Sequence, residues 1–361
     1  MPTVITAWSA TSPFGYGRAA FADAVRTGRT APTVEHSDDW FPKPDTAHVV
    51  PAFDLTEQLG RKGTSSMDRT TALAVSTLRR LQRDEPGSVA PDARTGVVLG
   101  TTSGSTQTQF AFTGDSLTRR KPYFVNPAMM PFALMNSAAA QCASWHGLTG
   151  PNTTIAAGRL SGIAVLRYAG RLLRTGRASG VFAGAAEEYG GARTLLERGS
   201  GGTSPLGEGC AMLFLQPSTG GNRSAVAEVV AVDTRLAVAG EPRIALVECL
   251  RRVLAGVAPH EVWGVALSGQ DPATTAMERD AVGEALGREV GRVVVPGELI
   301  GDTGAATGPF QLAALLALAE GEDVRGRVAV ATAVDRDGMV GCVVVRLLGG
   351  SGIAKQVRGS R

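Results

Sequence analysis

The sequence lacks the features that mark several protein classes. Its four cysteines, Cys142, Cys210, Cys249 and Cys342, are widely spaced and form no Cys-x-x-Cys pair, so neither a zinc site nor a disulfide framework is indicated. We expect them to be reduced, buried core residues of a cytoplasmic protein. No apolar run reaches the roughly 18 residues that a membrane span needs. The first residues lack the basic segment that opens a secretion signal, and we expect them to form a strand instead.

The sequence also has no large excess of charge of either sign, and it has few histidines. The net charge is +3, from 36 Lys and Arg against 33 Asp and Glu, with no basic run, so a nucleic-acid partner is not indicated. The four histidines, His36, His48, His146 and His260, complete neither a Ser-His-Asp arrangement nor a zinc spacing. We therefore interpret each as a loop or core residue, and we predict no metal and no other cofactor.

The most informative stretch covers residues 150–187 and predicts a strand, a tight turn, a helix and a second strand. A short apolar strand at 153–157 ends at Gly158, and a helical pattern follows over 161–174, with apolar residues at about 3.6 spacing. Gly176 lies where a helix C-terminus favours glycine, and a buried strand follows at 180–186. Such a turn presents one side chain at a helix N-terminus, where an anion is favoured.

The rest of the chain predicts an α/β protein of two similar halves, at 1–217 and 223–349, followed by a mobile tail at 350–361. Residues 30–55 and 188–207 are interpreted as loops. Further strands are predicted at 4–8, 94–100, 204–216, 225–233, 261–268 and 291–296, and at the C-terminal hairpin around Asp337-Gly338. Further helices are predicted at 18–26, 68–83, 106–117, 243–254, 275–286 and 300–318.

Several motifs together resemble the β-ketoacyl synthases, the condensing enzymes of the thiolase fold. The sequence keeps the family's Gly-Pro before the strand, Ser-Gly at the helix start, an Ala-Gly-x-x-Glu strand, Gly-Glu-Gly at 207–209 and Gly-Asp-x-Gly-Ala-Ala-x-Gly at 301–308. Laid on this pattern, Arg159 replaces the nucleophilic cysteine, Asp302 replaces one histidine, and Ser268 or its neighbour replaces the other. The resemblance implies a thiolase-like fold with α-β-α-β-α layers, and a site without its catalytic residues.

Because all three catalytic residues are replaced, the sequence resembles one subgroup of the family, the chain length factors (ketosynthase β subunits) of bacterial type II polyketide synthases. The resemblance implies a heterodimer with an active ketosynthase, an acyl carrier protein that bears the growing chain, and a tunnel at the interface that sets chain length. Subgroup members typically carry glutamine where this chain has Arg159, and this chain is shorter between Glu188 and Gly207. The candidate tunnel residues are Gln109, Phe110, Phe112, Thr113, Leu117, Met129, Met130, Phe132 and Met135; the alternative for the Met cluster is core packing.

The two substitutions of opposite charge predict that Arg159 and Asp302 form an ion pair in the former catalytic pocket, because a lone buried guanidinium costs several kcal/mol. The alternative is that Arg159 turns to solvent or to Glu187 or Glu188. Two other functions stay open: an acyltransferase or decarboxylase that uses Ser161 or Arg159, and a binding partner outside polyketide synthesis. Ser161 is in the first helical turn, where a hydroxyl favours capping over attack.

Overall fold

The computed structural model describes residues 1–38, 41–65, 67–85, 90–219 and 224–349, and for 36–38, 41–44 and 239 the backbone only. Its elements up to residue 217 follow in chain order. They are β1 (Thr3–Ser12), β2 (Gly15–Tyr16), α1 (Gly17–Thr27), β3 (Val34–Asp38), β4 (Phe41–His48), α2 (Leu55–Leu59), α3 (Arg69–Arg83), β5 (Thr95–Gly100), α4 (Thr106–Thr118), a 3₁₀ helix (Pro127–Ala133), α5 (Ser137–His146), β6 (Asn152–Ile155), α6 (Ser161–Arg174), β7 (Gly180–Glu187), α7 (Gly191–Gly199), β8 (Leu206–Gly207) and β9 (Gly209–Pro217).

The elements after residue 223 repeat this alternation of strands and helices. They are β10 (Ala227–Leu236), α8 (Pro242–Val253), β11 (Val262–Ala266), α9 (Pro272–Leu286), β12 (Val293–Val294), α10 (Pro296–Ile300), α11 (Thr307–Ala319), β13 (Val328–Val334) and β14 (Met339–Leu347), with short 3₁₀ turns at Val238–Gly240, Pro259–Glu261 and Gly304–Ala306. The predicted tail at 350–361 and the residues 220–223 at the predicted boundary between the halves lie outside the described residues.

Among the described residues, the main sheet has eleven strands: two five-stranded units with the same order and the same strand directions, and the short β2, which pairs with β1. In the first unit, β1, β9 and β7 are antiparallel neighbours, and β5 and β6 continue parallel to β7. In the second unit, β10, β14 and β13 are antiparallel, and β11 and β12 continue in parallel. The units join through β1 and β10, over Thr3–Ile5 and Ala227–Val229. This repeat matches the predicted α/β class with two similar halves, while the boundary itself stays a prediction.

Helices α6 and α11 lie at the centre of the largest core cluster and contact each other. α11 is buried on every side from Thr307 to Ala317, as expected for a helix that is apolar all round. The two helices approach most closely at their N-terminal ends: a Cβ on Gly162 would lie 2.3 Å from Pro309 Cδ. The residues that precede the two helices are therefore brought to one place.

Three predictions about local structure are wrong. Residues 34–38 and 41–48, predicted as loop, form β3 and β4, which pair with each other and with β8 in a small separate sheet. Their sequence is polar and lacks the apolar alternation by which a strand is predicted. Residues 191–199, also predicted as loop, form α7. The buried face of this helix includes Arg193 and Thr194, so its sequence does not show apolar residues at helical spacing. The strand predicted at 153–157 ends at Ile155, because the chain already turns toward Gly158.

Candidate functional site

The turn between β6 and α6 places Arg159 at the start of α6. Gly158 has φ +54, and a Cβ there would lie 2.0 Å from Asp335 Oδ2, so the turn requires glycine. The same Asp335 oxygen accepts the Arg159 backbone N–H at 2.7 Å. Ser161 Oγ accepts the Ala157 N–H at 2.8 Å and donates to the Gly158 carbonyl at 2.7 Å. The turn is thus fixed by its own hydrogen bonds.

The guanidinium of Arg159 is bound by two carboxylates. Its Nη1 lies 2.5 Å from Asp302 Oδ1, and its Nη2 lies 2.9 Å from Glu197 Oε2. The Arg159 and Asp302 side chains are only 6% and 3% exposed. The predicted ion pair is therefore confirmed, and it lies where the N-terminal ends of α6 and α11 meet.

Both members of the pair stay charged because their charges reinforce each other. Burial works to lower the pKa of Arg159, but the charges of Asp302 and Glu197 outweigh burial and raise the pKa above its ordinary value. Burial likewise works to raise the pKa of Asp302. The charges of Arg159 and Arg193 and the Gly304 N–H outweigh it and lower the pKa of this carboxyl.

The Asp302 backbone is held as firmly as its side chain. Its N–H donates to the Pro205 carbonyl at 2.9 Å, and its carbonyl accepts the Gly207 N–H at 2.9 Å. The same carbonyl accepts Arg193 Nη2 from α7 at 2.9 Å. The loop before α11 is therefore fixed against α7 and β8, and Asp302 has little freedom to leave Arg159.

Further polar side chains connect the ion pair to Arg336, which is partly exposed at the surface. Glu197 on α7 also accepts Arg336 Nη1 at 2.7 Å, from the turn between β13 and β14. With its amide oxygen turned toward the arginines, Gln270 accepts Arg159 Nε at 3.3 Å and Arg336 Nε at 3.0 Å. Glu197 and Arg336 are not among the residues predicted from the sequence. The prediction places residues 188–207 in a loop, and neither residue belongs to a recognisable motif.

The alternative partners proposed for Arg159 are bonded elsewhere. Glu187 accepts the Thr102 N–H and hydroxyl, and Glu188 accepts Ser105 Oγ and the Gln107 N–H. Nor does Arg159 turn to solvent. The pocket is therefore closed by an arginine that cannot attack a thioester, because its guanidinium remains protonated and has no free electron pair.

Ser268, predicted at a lost histidine position, is separate from this ion pair. Its backbone N–H and its hydroxyl donate to Glu278 Oε2 at 2.9 and 2.8 Å, and Thr332 Oγ1 donates to Oε1 at 2.9 Å. Burial of Glu278 raises its pKa to about 7, against the opposing effect of these hydrogen bonds. Ser268 thus serves to bind a buried carboxyl.

Two of the histidines lie in the core rather than at the Arg159 turn. His146 Nε2 lies 3.0 Å from the Val75 carbonyl, and burial lowers its pKa to about 4. Burial also lowers the pKa of His48, which packs against Gly301. The His36 side chain lies outside the described part of the structure.

The nine tunnel candidates lie on two segments that contact each other, α4 and the 3₁₀ helix with the residues that follow it. Leu117, Met130 and Met135 are 79%, 47% and 50% exposed, whereas Phe132 is 9% exposed and belongs to the core cluster under α3. Gln109 Nε2 donates to the Ser103 carbonyl at 2.6 Å. The roles of all nine stay predictions.

Comparison with known proteins identifies the family. The β-ketoacyl synthase N-terminal domain matches residues 1–204, more than half of the chain. This chain belongs to the β-ketoacyl synthase family. Among sequence relatives, the tetracenomycin polyketide synthase ketoacyl synthase α subunit of Streptomyces glaucescens is 31% identical over 196 residues, which cover 51% of this chain and 45% of the relative. The chain spans about half the length of the curated relatives it matches.

Solved structures extend the similarity over nearly the whole chain. A chain of the ishigamide ketosynthase/chain length factor is 41% identical, with a TM-score of 0.91, and the match covers 97% of this chain and 100% of that one. A type II ketosynthase solved in complex with its acyl carrier protein has a TM-score of 0.79 at 16% identity, over 96% and 99% of the two chains. The latter supports the fold alone, and both support the predicted thiolase-like architecture.

Within the described ranges, no group of three His, Cys, Asp or Glu side chains is placed to hold a metal ion. Within the same ranges, no helix combines the length and the apolar character needed to cross a membrane.

Proposed function

We propose that this chain is a catalytically silent chain length factor, which pairs with an active ketosynthase in type II polyketide synthesis and lines the tunnel for a chain carried by an acyl carrier protein. The observation on which the proposal depends is the Arg159–Asp302 ion pair at the turn where the family has its nucleophile. The 41% identity to a chain of the ishigamide ketosynthase/chain length factor supports the same proposal.

The chemistry of condensation supports the loss of activity. A decarboxylating condensation needs a thiolate to hold the acyl chain and hydrogen-bond donors to stabilise the enolate oxyanion. Here the arginine that replaces the thiolate has its Nη1 2.5 Å from Asp302 Oδ1, and Asp302 itself stands where the family has a histidine. The site therefore offers neither the thiolate nor that histidine donor.

The surface around β6 has the features of a protein interface, which supports the proposed pairing with a partner subunit. β6 is the last strand of the main sheet and has one hydrogen-bonded neighbour, β5, among the described residues. It contacts α5, which contacts the 3₁₀ helix, and the 3₁₀ helix contacts α4. This continuous region contains most of the large exposed apolar side chains of the first half: Leu117, Tyr123, Phe124, Met130, Leu134 and Met135. Exposed apolar surface of this kind marks an interaction site.

The alternative that Ser161 acts as a nucleophile gains no support from the geometry. Ser161 is fully buried, and its hydroxyl is bonded to the Ala157 N–H and the Gly158 carbonyl. A serine nucleophile needs a base within hydrogen-bond reach, and neither of these bonded groups can serve as one. We therefore retain the chain length factor as the proposed function.

Replacing Phe112 by alanine tests the proposed role in the tunnel. Co-expressed with its ketosynthase, the variant is expected to give products at least one two-carbon unit longer than the wild-type complex, because a phenyl group no longer limits the space. Phe112 lies on the half-buried part of α4, and the products are analysed by mass spectrometry.

The matched control is Leu236→Ala, which shortens an exposed apolar side chain in the second half of the sequence and should leave the products unchanged. An unchanged product spectrum for alanine variants at all nine candidate positions would count against the tunnel role.

A further inference from the structure

A polar cavity lies between α2 and α3, apart from the Arg159 site. Its volume is about 320 Å³, and its lining includes Gln58 from α2 and Ser76, Arg79, Arg80 and Arg83 from α3. Ser76, Arg79 and Arg83 are three or four residues apart and share one face of the helix, and Arg80 is adjacent to Arg79 on the side that borders Gln58. The volume is at the lower end of the range for small-molecule sites.

The three guanidinium groups have no carboxylate partner within the described ranges, although Glu57 and Asp84 lie at the same cavity. Instead, Gln58 orients two of them: its backbone carbonyl accepts Arg79 Nη1 at 2.8 Å, and its side-chain oxygen accepts Arg80 Nη2 at 3.0 Å. The Arg80 guanidinium also lies over the Tyr16 ring, 5.0 Å from its centroid. Arg79 and Arg83 are exposed at the cavity.

Stabilisation of the helix end explains only part of this arrangement. Arg80 and Arg83 lie in the last turn of α3, where cations interact favourably with the helix dipole. The dipole does not explain why Gln58 holds Arg79 and Arg80 in place beside an open cavity. An anion with several oxygens explains this arrangement.

We propose that this cavity binds a phosphate group, either as free phosphate or pyrophosphate or as part of a phosphorylated small molecule. Guanidinium groups present paired N–H donors that match two phosphate oxygens at once. Three arginines that line one cavity and have no carboxylate partner among the described residues supply both the charge and the donors for a multiply charged anion. The proposal is independent of the function proposed for the Arg159 site.

Isothermal titration of the purified full chain with pyrophosphate tests the site, with inorganic phosphate and ADP as parallel probes. We expect saturable binding of pyrophosphate, weakened at least tenfold in the Arg79→Ala/Arg83→Ala double variant. Tighter binding of ADP would identify a phosphorylated small molecule as the preferred source, and equal or tighter binding of phosphate or pyrophosphate would identify the free anion. Both outcomes support the site.

Two further variants separate this site from general charge. Arg167→Ala/Arg171→Ala removes two exposed arginines from α6 and should leave the dissociation constant within twofold of wild type. Gln58→Ala keeps every charge but removes the acceptor for Arg80, and it should weaken binding about threefold or more. Far-UV circular dichroism confirms that each variant is folded. Absence of saturable binding by all three probes, or equal weakening in the α6 control, would overturn the proposal.

Discussion

Replacing Asp302 by alanine is expected to destabilise the protein by about 3–5 kcal/mol, the range for removal of one partner from a buried ion pair. The Arg159 side chain is 6% exposed and would keep only Glu197 as a charged partner in direct contact. The Gly304 N–H would lose its acceptor as well. The change is measured by chemical denaturation at pH 7, or as a fall in the melting temperature where unfolding is not two-state.

Two further variants serve as controls for the effect of Asp302→Ala. Asp23→Ala removes the same kind of side chain from an exposed pair, 74% exposed and 3.9 Å from Arg29, and is expected to change stability by less than about 1 kcal/mol. Arg159→Met combined with Asp302→Leu replaces the pair by apolar groups and should recover most of the loss. If Asp302→Ala were as mild as Asp23→Ala, the pair would not hold the closed pocket together.

Raising the pH from 5 to 8 is expected to lower the stability of the protein, in part through Glu278. The pKa of this carboxyl is raised from 4.5 to about 7 in the folded state, so between these values the folded state binds more protons than the unfolded state. Stability then falls as pH rises. At about 1.4 kcal/mol per pKa unit, the contribution of Glu278 amounts to about 3 kcal/mol across this window. Glu188, with a pKa also raised to about 7, adds a slope of the same sign. His146, with a pKa lowered from 6.5 to about 4, adds a slope of the opposite sign that offsets part of these two.

The Glu278→Gln variant isolates this contribution. An amide can accept from Ser268 and donate to Thr332 Oγ1, as the protonated acid does, so the variant should fold and show a shallower loss of stability over the same pH range. Glu289→Gln removes an exposed carboxylate and is the control for a general charge effect. Equal slopes in the wild type and Glu278→Gln would contradict the assignment.

Strongly periodic segments were predictable from the sequence. The helix predicted over 161–174 matches α6 residue for residue, because its apolar residues recur at helical spacing and a glycine follows. The Arg159–Asp302 pair could be predicted because the family pattern places both positions in one pocket and the two substitutions have opposite charge. Both predictions needed only residues that lie within recognisable motifs.

The remaining parts of the site depend on contacts that no local pattern encodes. α7 has nine residues and a partly polar buried face, where Arg193 Nη1 and Nη2 donate to the carbonyl groups of Glu188, Gly207 and Asp302. Glu197 meets Arg159 only because that helix packs beside the loop before α11. The β3–β4 hairpin likewise pairs with β8, about 160 residues later in the sequence. Long-range packing therefore decides these elements, and a short polar sequence does not reveal it.

The most direct test of the central claim is a condensation assay of the purified chain without any ketosynthase. Incubated with malonyl and acyl thioesters on a carrier protein and followed by mass spectrometry, it should form no carbon–carbon bond above the protein-free background. The complex with an active ketosynthase, assayed in parallel, should form extended products. Condensation by the isolated chain at a rate comparable to that of the complex would contradict the account.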